Sequence, residues 1–476
     1  MPTTDGVGLP ADYVPMGSLA LTDGERWPTL PESDLRRVAD ARAHPAAPHW
    51  QHETGDRLEP ADLAALASRA PVSASAGPSP PDWVAALVER AHRTVPRYRA
   101  AARDGRSGPT TPLRDLPTVT RRDLVTGLAA HVPLDVPLDR VLQGTSSGST
   151  GAALRVPLHP RTVAADLLLL HALVTGAGTS WPADPARLGL VNLVDQRAAF
   201  TYVSAMSAFP RPVGSPAPLM ARVNLDVGAW RTAADRERWF AEHDPQVVST
   251  SSVPLVHLLD LAEAGLAVRP VAVVNGATHV TPAVRRRVRD LWAAPLVDLY
   301  GLRETGPVAA ACDAGREHAL VARRVHVEVL DPAGRPLPAG RRGEVVVTVD
   351  ENPYLPLLRY RTGDHAALGT DDAGRPVLLD LEGRAAVRFL DATGAARPSV
   401  DATQVLQAAG LTAWHLHQDA DGDVRLSAVG DAAAAAAAVR AVREWLGRPV
   451  GLELLGDVGA LGQGKPARYS SALDLP

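Results

Sequence analysis

Lysine occurs once in this chain of 476 residues, at position 465, and arginine supplies all the other basic side chains. It stands in Gly462-Gln-Gly-Lys465-Pro-Ala-Arg468, a glycine-flanked loop near the end of the sequence. Most lysines are solvated bystanders, but a single retained one invites a functional reading. Further stretches could act with it. Thr145-Ser146-Ser147-Gly148-Ser149-Thr150-Gly151 brings hydroxyls and exposed backbone N–H groups into one loop, a composition suited to phosphate oxygens. In isolation such a run reads equally as a solvated Ser/Gly linker. No Lys-Ser or Lys-Thr follows Gly151, which excludes a Walker-type loop. Tyr300-Gly-Leu-Arg-Glu-Thr305 sets Glu304 just past a strand, where a carboxylate could hold Mg²⁺ against a nucleotide phosphate. Tyr360-Arg-Thr-Gly-Asp364 sets an aspartate after a tight turn, suited to accept both hydroxyls of a ribose. Gly383-Arg384 could be a hinge whose arginine reaches ribose or phosphate. Each of these alone is also an ordinary surface turn.

The elements around these residues alternate. Strand patterns at 187–194, 246–250, 271–274 and 296–300 are separated by helical ones, among them a helix capped by Ser252 and another opened by Thr281-Pro282. That rhythm predicts parallel βαβ units and an α/β fold. Ligands gather at the carboxyl ends of such strands, where Asn275, Gly276, Ala277, Tyr300 and Gly301 fall. From Val325 the period becomes two, over 325–330 and 344–349, predicting an antiparallel hairpin or small barrel-like β part. Beyond Gly383, an Asp421-Gly422 turn between alternating segments predicts a β-hairpin, and Asp431 and Gly447 bound an alanine-rich helix. The expected organisation is a loosely structured extension over 1–80, a large domain over 81–382 and a small mobile α+β lid over 383–476.

Composition narrows the class. A hydrophobic content of 46% with 21% charged residues fits a soluble globular protein, and a net charge of -4 gives no footprint for nucleic acid. The apolar run at 167–173 is too short to span a bilayer and contains His171, so no membrane partner is expected. One cysteine, Cys312, rules out an intramolecular disulfide framework and a Cys-rich zinc site. With no signal-peptide pattern, this points to the cytoplasm.

Taken together, the motifs resemble the adenylate-forming superfamily of acyl-CoA synthetases and nonribosomal adenylation domains, most closely its phenylacetate-CoA ligase branch. The resemblance runs from Pro96-Arg-Tyr98 and Leu116-Pro-Thr-Val-Thr120 through the Ser/Gly loop and Tyr300–Glu304. It continues in Cys312 and His318, 358–364, Gly383-Arg384 and Gly464-Lys465. It implies ATP-dependent conversion of a carboxylic acid to an acyl-adenylate with release of pyrophosphate, then transfer to CoA by default. The alternatives are transfer to an amine or carrier protein, as in specialised metabolism, or a non-catalytic adenylate-binding protein. It further implies that Ser146, Ser147, Gly148, Ser149, Thr150 and Gly151 hold phosphates. Glu304 would bind Mg²⁺, Asp364 and Arg384 would contact ribose, and Tyr300 with Asn275-Gly276-Ala277 would flank adenine. Lys465 would bridge the attacking carboxylate and the α-phosphate, and a homodimer is suggested. The acid would lie near Asp195, Gln196, Phe200, Tyr202, Met206 and Phe209, whose aromatic members favour a small aromatic acid. Three departures stand out. Ala152-Ala153-Leu154 replaces the basic residue that often follows the loop, Ala386-Val387 replaces the acidic pair after Gly-Arg, and Thr278-His279 replaces an acidic residue beside adenine. No structural zinc is expected.

Overall fold

A computed structural model describes residues 21–70, 72–146, 154–195, 199–312, 317–383, 387–462 and 467–473. Among these the main hydrogen-bonded ladder has thirteen strands. Its parallel half contains, in spatial order, Leu296–Leu302, Ala272–Gly276, Val247–Thr250, Leu190–Val194 and Leu219–Asn224, with Tyr202–Ala205 antiparallel at the edge. The helices between them start where the local chemistry says they should. Thr281 caps Pro282–Trp292 through its side chain, with proline at the first helical position. The Ser252–Glu263 helix also forms, although its N-cap is Ser251 and the Ser252 hydroxyl serves Thr278 instead.

The hairpin expected from the period-two segment is present, with Val325–Leu330 antiparallel to Arg342–Val349. It continues through Leu357–Thr370, Pro376–Glu382 and His318–Leu320 into the parallel half. The site therefore rests on a single ladder. One face of the parallel half packs on the helix Pro160–Gly176 through Val174, Leu190, Met206 and Phe209. The other packs around Trp230, Trp239 and Phe240.

The N-terminal stretch corrects the expectation of a loose extension. Residues 21–67 carry the helices Asp23–Arg26, Glu32–Arg42 and Pro60–Ala67, and Trp27, Leu30 and Val38 are buried in the same core as Val191 and Val223. A reciprocal Thr22/Glu25 capping box starts the first helix. Asp56 lies in this region with one carboxylate oxygen buried and lacking a partner among the described residues. Burial pushes its pKa from 3.8 up to about 6, against the hydrogen bond that its other oxygen accepts from the Leu58 N–H. The folded state thus holds the proton more tightly than the unfolded state, a contribution fully present below pH 3.8 and lost as pH rises through about 6. Asp56→Asn is expected to raise the melting temperature at pH 8 by the equivalent of roughly 3 kcal/mol and to change little at pH 4. Melting curves at the two pH values check this.

The residues after 387 form their own core. A four-stranded sheet of Val450–Leu455, Val424–Val429, Ala413–Gln418 and Tyr469–Ser471 packs Trp414, Leu416 and Leu426 against the helices Ser399–Ala408 and Ala432–Leu446. Asp431 caps the alanine-rich helix and Gly447 ends it at φ 63°. An apolar seam joins this unit to the large one. Val429, Leu455, Val458 and Leu461 meet Val253, Leu255 and Val280, and the Thr281 hydroxyl donates to the Thr412 carbonyl at 3.2 Å.

Candidate active site

Two of the sequence motifs are laced together at the end of the parallel strands. The Leu296–Leu302 strand turns back at 303–305 into Gly306–Cys312, and the approach is so tight that a Cβ on Gly301 would lie 2.5 Å from the Gly306 carbonyl oxygen. Only glycine fits there. The Tyr300 hydroxyl donates to Asp364 Oδ2 at 3.0 Å, and the Tyr360 hydroxyl donates to Glu304 Oε1 at 2.8 Å. Tyr360 and Asp364 share the strand Leu357–Thr370, so both bonds join the same two segments.

A third segment delivers a cation. Arg121 donates to Glu304 Oε1 at 3.2 Å. It opens a helix capped by a Thr120/Asp123 capping box, and Val119 is hydrogen-bonded by its backbone between Arg359 and Arg361. The left-handed backbone at Arg359, φ 51°, is held by a buried ion pair to Glu328 at 3.1 Å and by bonds to the Arg114 and Leu116 carbonyls. Burial and the adjacent carboxylates push the Tyr300 and Tyr360 hydroxyls well up, so both remain protonated donors.

Glu304 is only 3% exposed, and its Oε2 accepts no hydrogen bond from the described residues. That oxygen suits a hard cation arriving with a phosphate. No group of three or more His, Cys, Asp or Glu among the described residues could hold a metal alone, so phosphate and water oxygens would complete the shell.

On the adenine side the structure corrects the part given to Asn275. Its side chain is fully buried, bonding the Thr278 carbonyl and Asp298 Oδ1, and it braces the turn instead of facing a ligand. Ala277 follows in the left-handed region at φ 66°, beside Gly276 at the end of Ala272–Gly276. Asp298 also takes Arg285 at 3.0 Å, with His318 at 3.7 Å. Burial raises the Asp298 pKa, but the neighbouring His318 imidazole and the Arg285 guanidinium outweigh it, and the net shift is downward. His279 is driven down to about 3 by burial and by Arg468 of the small unit. It is neutral at physiological pH and cannot stand in as an anion.

Ser146 ends the strand Leu142–Ser146, paired with Leu154 at the start of Leu154–Leu158. Ser147, Gly148, Ser149, Thr150, Gly151, Gln196, Arg384 and Lys465 lie outside the described residues. Both flanks of Lys465 are anchored in the small unit, by the turn Val458–Leu461 and by Tyr469–Ser471 pairing with 416–418.

The described residues expected to wall the acid fall into separate groups, with Phe200 packed edge-on against Tyr202 at 5.6 Å and the others apart from them. Met206 and Phe209 are closed into the core beside Trp181, with His171 held by the Trp181 carbonyl. Phe200 is 48% exposed and stacks on His52 at 3.6 Å. Tyr202 stays half-buried at the strand edge, and Asp195 pairs with His257 at 2.8 Å. Cys312 is exposed, and His318 turns to Asp298. Arg121 and Tyr360 are not among the site residues expected from the sequence. The signals available were the Thr120 cap immediately before Arg121 and the place of Tyr360 inside the motif ending at Asp364.

Residues 144–351 match the model of the family described as AMP-binding enzyme. The fold is similar to that of a solved acyl-CoA ligase. The crystal structure of 2-hydroxyisobutyryl-CoA ligase in the postadenylation state with 2-HIB-AMP aligns with a TM-score of 0.58 at 18% identity, covering 82% of this chain and 88% of that one. A second complex of the same enzyme, with R3-HIB-AMP, gives 0.57 at 19% identity. The resemblance read from the motifs is thus borne out. In sequence the chain is 38% identical to the phenylacetate-coenzyme A ligase of Thermus thermophilus and 36% identical to that of Pseudomonas putida, each over 95 residues, 19% of this chain. The matched stretch spans about a fifth of the length of these curated relatives, 21% and 22%. No helix among the described residues is long and apolar enough to cross a membrane.

Proposed function

We propose that this protein uses ATP to activate a small carboxylic acid as an acyl-adenylate and then passes the acyl group to a nucleophile, CoA by default. The observation that supports this reading is the paired lacing of Tyr300 to Asp364 and Tyr360 to Glu304, which brings two carboxylates to one strand end, where the reading needs a ribose acceptor and a phosphate-side ligand. In the proposed reaction a carboxylate oxygen of the acid attacks the α-phosphorus, the bond to the bridging oxygen breaks, and pyrophosphate leaves. Asp364 grips the ribose, Ser146 through Gly151 hold the β- and γ-phosphates, and Lys465 stabilises the charge developing between acid and α-phosphate. Glu304 Oε2 would hold Mg²⁺, which neutralises phosphate charge. Arg121 and Tyr360 hold the Glu304 carboxylate in place. The acceptor nucleophile then attacks the acyl carbon and AMP departs.

Tyr202, with Phe200 packed edge-on against it, offers aromatic surface near the strand ends and supports an aryl acid. The test is acid-dependent pyrophosphate release over benzoic, phenylacetic and cinnamic acids, with CoA, an amine or hydroxylamine as acceptor. Release with at least one acid is expected. ATP binding with no acid-dependent release from any would move the reading to a non-catalytic adenylate-binding protein.

A further inference from the structure

The sheet face under the helix Pro160–Gly176 changes character toward the strand ends. One rung, Ser204–Met220–Leu190–Val247, is mostly apolar, and Met220, Leu190 and Val247 join the core there. Two residues further along, on the same face because side chains alternate with period two, the rung reads Tyr202–Arg222–Asn192–Ser249. All four are half-buried, and none of the four side chains has a hydrogen-bond partner among the described residues. The other three side chains keep their polar atoms accessible beside it, so the unsatisfied atom of the rung is the buried Nε of Arg222, and a buried polar group is normally satisfied.

Arg222 is the sharpest of them. Its Nε is buried without a partner among the described residues. Of the other arginines with a buried unpartnered nitrogen, Arg468 lies over the Trp414 and Tyr469 rings and the rest hold oxygen partners. Arg236 and Arg448 hold carbonyls, and Arg323, Arg342 and Arg359 hold carboxylates. The charged and titratable groups that reach Arg222 are Tyr202 and Arg303, and burial depresses its pKa. Arg303 immediately precedes Glu304, which ties this rung to the site already described. From Ala272–Gly276 to the Arg222 strand is three strand steps, about 14 Å, a span suited to a small acid lying between the adenylate and the guanidinium. A guanidinium presents forked donors that match a carboxylate.

We infer that Arg222, with Tyr202, Asn192 and Ser249 beside it, is a subsite for a second oxyanion on the acid, so that the preferred substrates are small dicarboxylic acids activated at one end only. This rests on the adenylation reading above and narrows its substrate class from aryl acids in general to acids carrying a distal carboxylate.

The test uses matched pairs with and without that group, namely phenylacetate against 4-carboxyphenylacetate, benzoate against terephthalate, and butyrate against glutarate. Acid-dependent pyrophosphate release is measured with hydroxylamine as acceptor. In at least one pair the diacid is expected to exceed its partner by roughly 10- to 100-fold in kcat/KM. Arg222→Met should erase that preference while leaving the monoacid's rate within a few-fold, and Arg222→Lys should keep part of it. Monoacids equal to or better than diacids in every pair, or an unchanged preference in Arg222→Met, would overturn the subsite while adenylation stands. Silence with every acid would instead remove the adenylation reading. The subsite is then read by thermal shift with the diacids. Stabilisation of the wild type but not of Arg222→Met supports it, and equal or absent stabilisation overturns it.

Discussion

Glu304→Gln is expected to lower acid-dependent pyrophosphate release by about 10²- to 10³-fold at saturating ATP and Mg²⁺. The substitution keeps the shape of the side chain but removes the anion that Arg121 and Tyr360 address and that would hold the metal. It also leaves the Arg121 guanidinium without its carboxylate, and breaking a buried ion pair costs about 3–5 kcal/mol. Arg121 is partly exposed, so the loss should sit at or below the lower end of that range. Stability and chemistry can be separated by the double variant Arg121→Met with Glu304→Gln. Much of the lost melting temperature should return, because the guanidinium that faced the lost carboxylate is removed with it, while activity should not. Recovery of activity together with stability would show that Glu304 is a structural partner only.

Lys465→Ala should cost at least as much in the first half-reaction, about 10²-fold or more, since no second lysine exists to replace it. Transfer from a supplied acyl-adenylate to the acceptor should stay within a few-fold of wild type. Single-turnover measurements of the two halves check this, and equal loss in both would remove the role assigned to the lysine. Lys465→Arg should not restore the rate, because a planar fork cannot take the place of a compact ammonium at one point of developing charge.

The fold was most legible where a short polar cap met an apolar period. Thr120, Thr281-Pro282 and the Asp431/Gly447 pair all bound helices as their chemistry requires. The same chemistry was present and overlooked at Thr22 and Glu25, because the surrounding Pro, Gly and Asp suggested loop, and tertiary burial of Trp27 then decided the matter. The motifs ending at Glu304 and Asp364 were legible because each is local. What binds them is not. Arg121 reaches Glu304 across 183 residues, and no local pattern encodes such a pair. The acid's wall was misjudged for a related reason. Period-two alternation says which residues share a face but not how far along the strand that face stops being core, and Met206 and Phe209 lie on the closed side of the limit while Tyr202 lies on the open one.

The apolar seam between the two units bears on temperature. If the small unit rotates between half-reactions, Val429, Val458 and Leu461 must part from Val253, Leu255 and Val280 and meet water. Hydrating apolar surface raises heat capacity, so a step limited by that parting would carry a positive activation heat capacity and an Eyring plot curved upward, whereas chemistry with the seam shut would give a straight line. Cooling weakens the hydrophobic term, and the seam would then open at less cost, acting as a thermal governor on turnover set by a handful of valines and leucines.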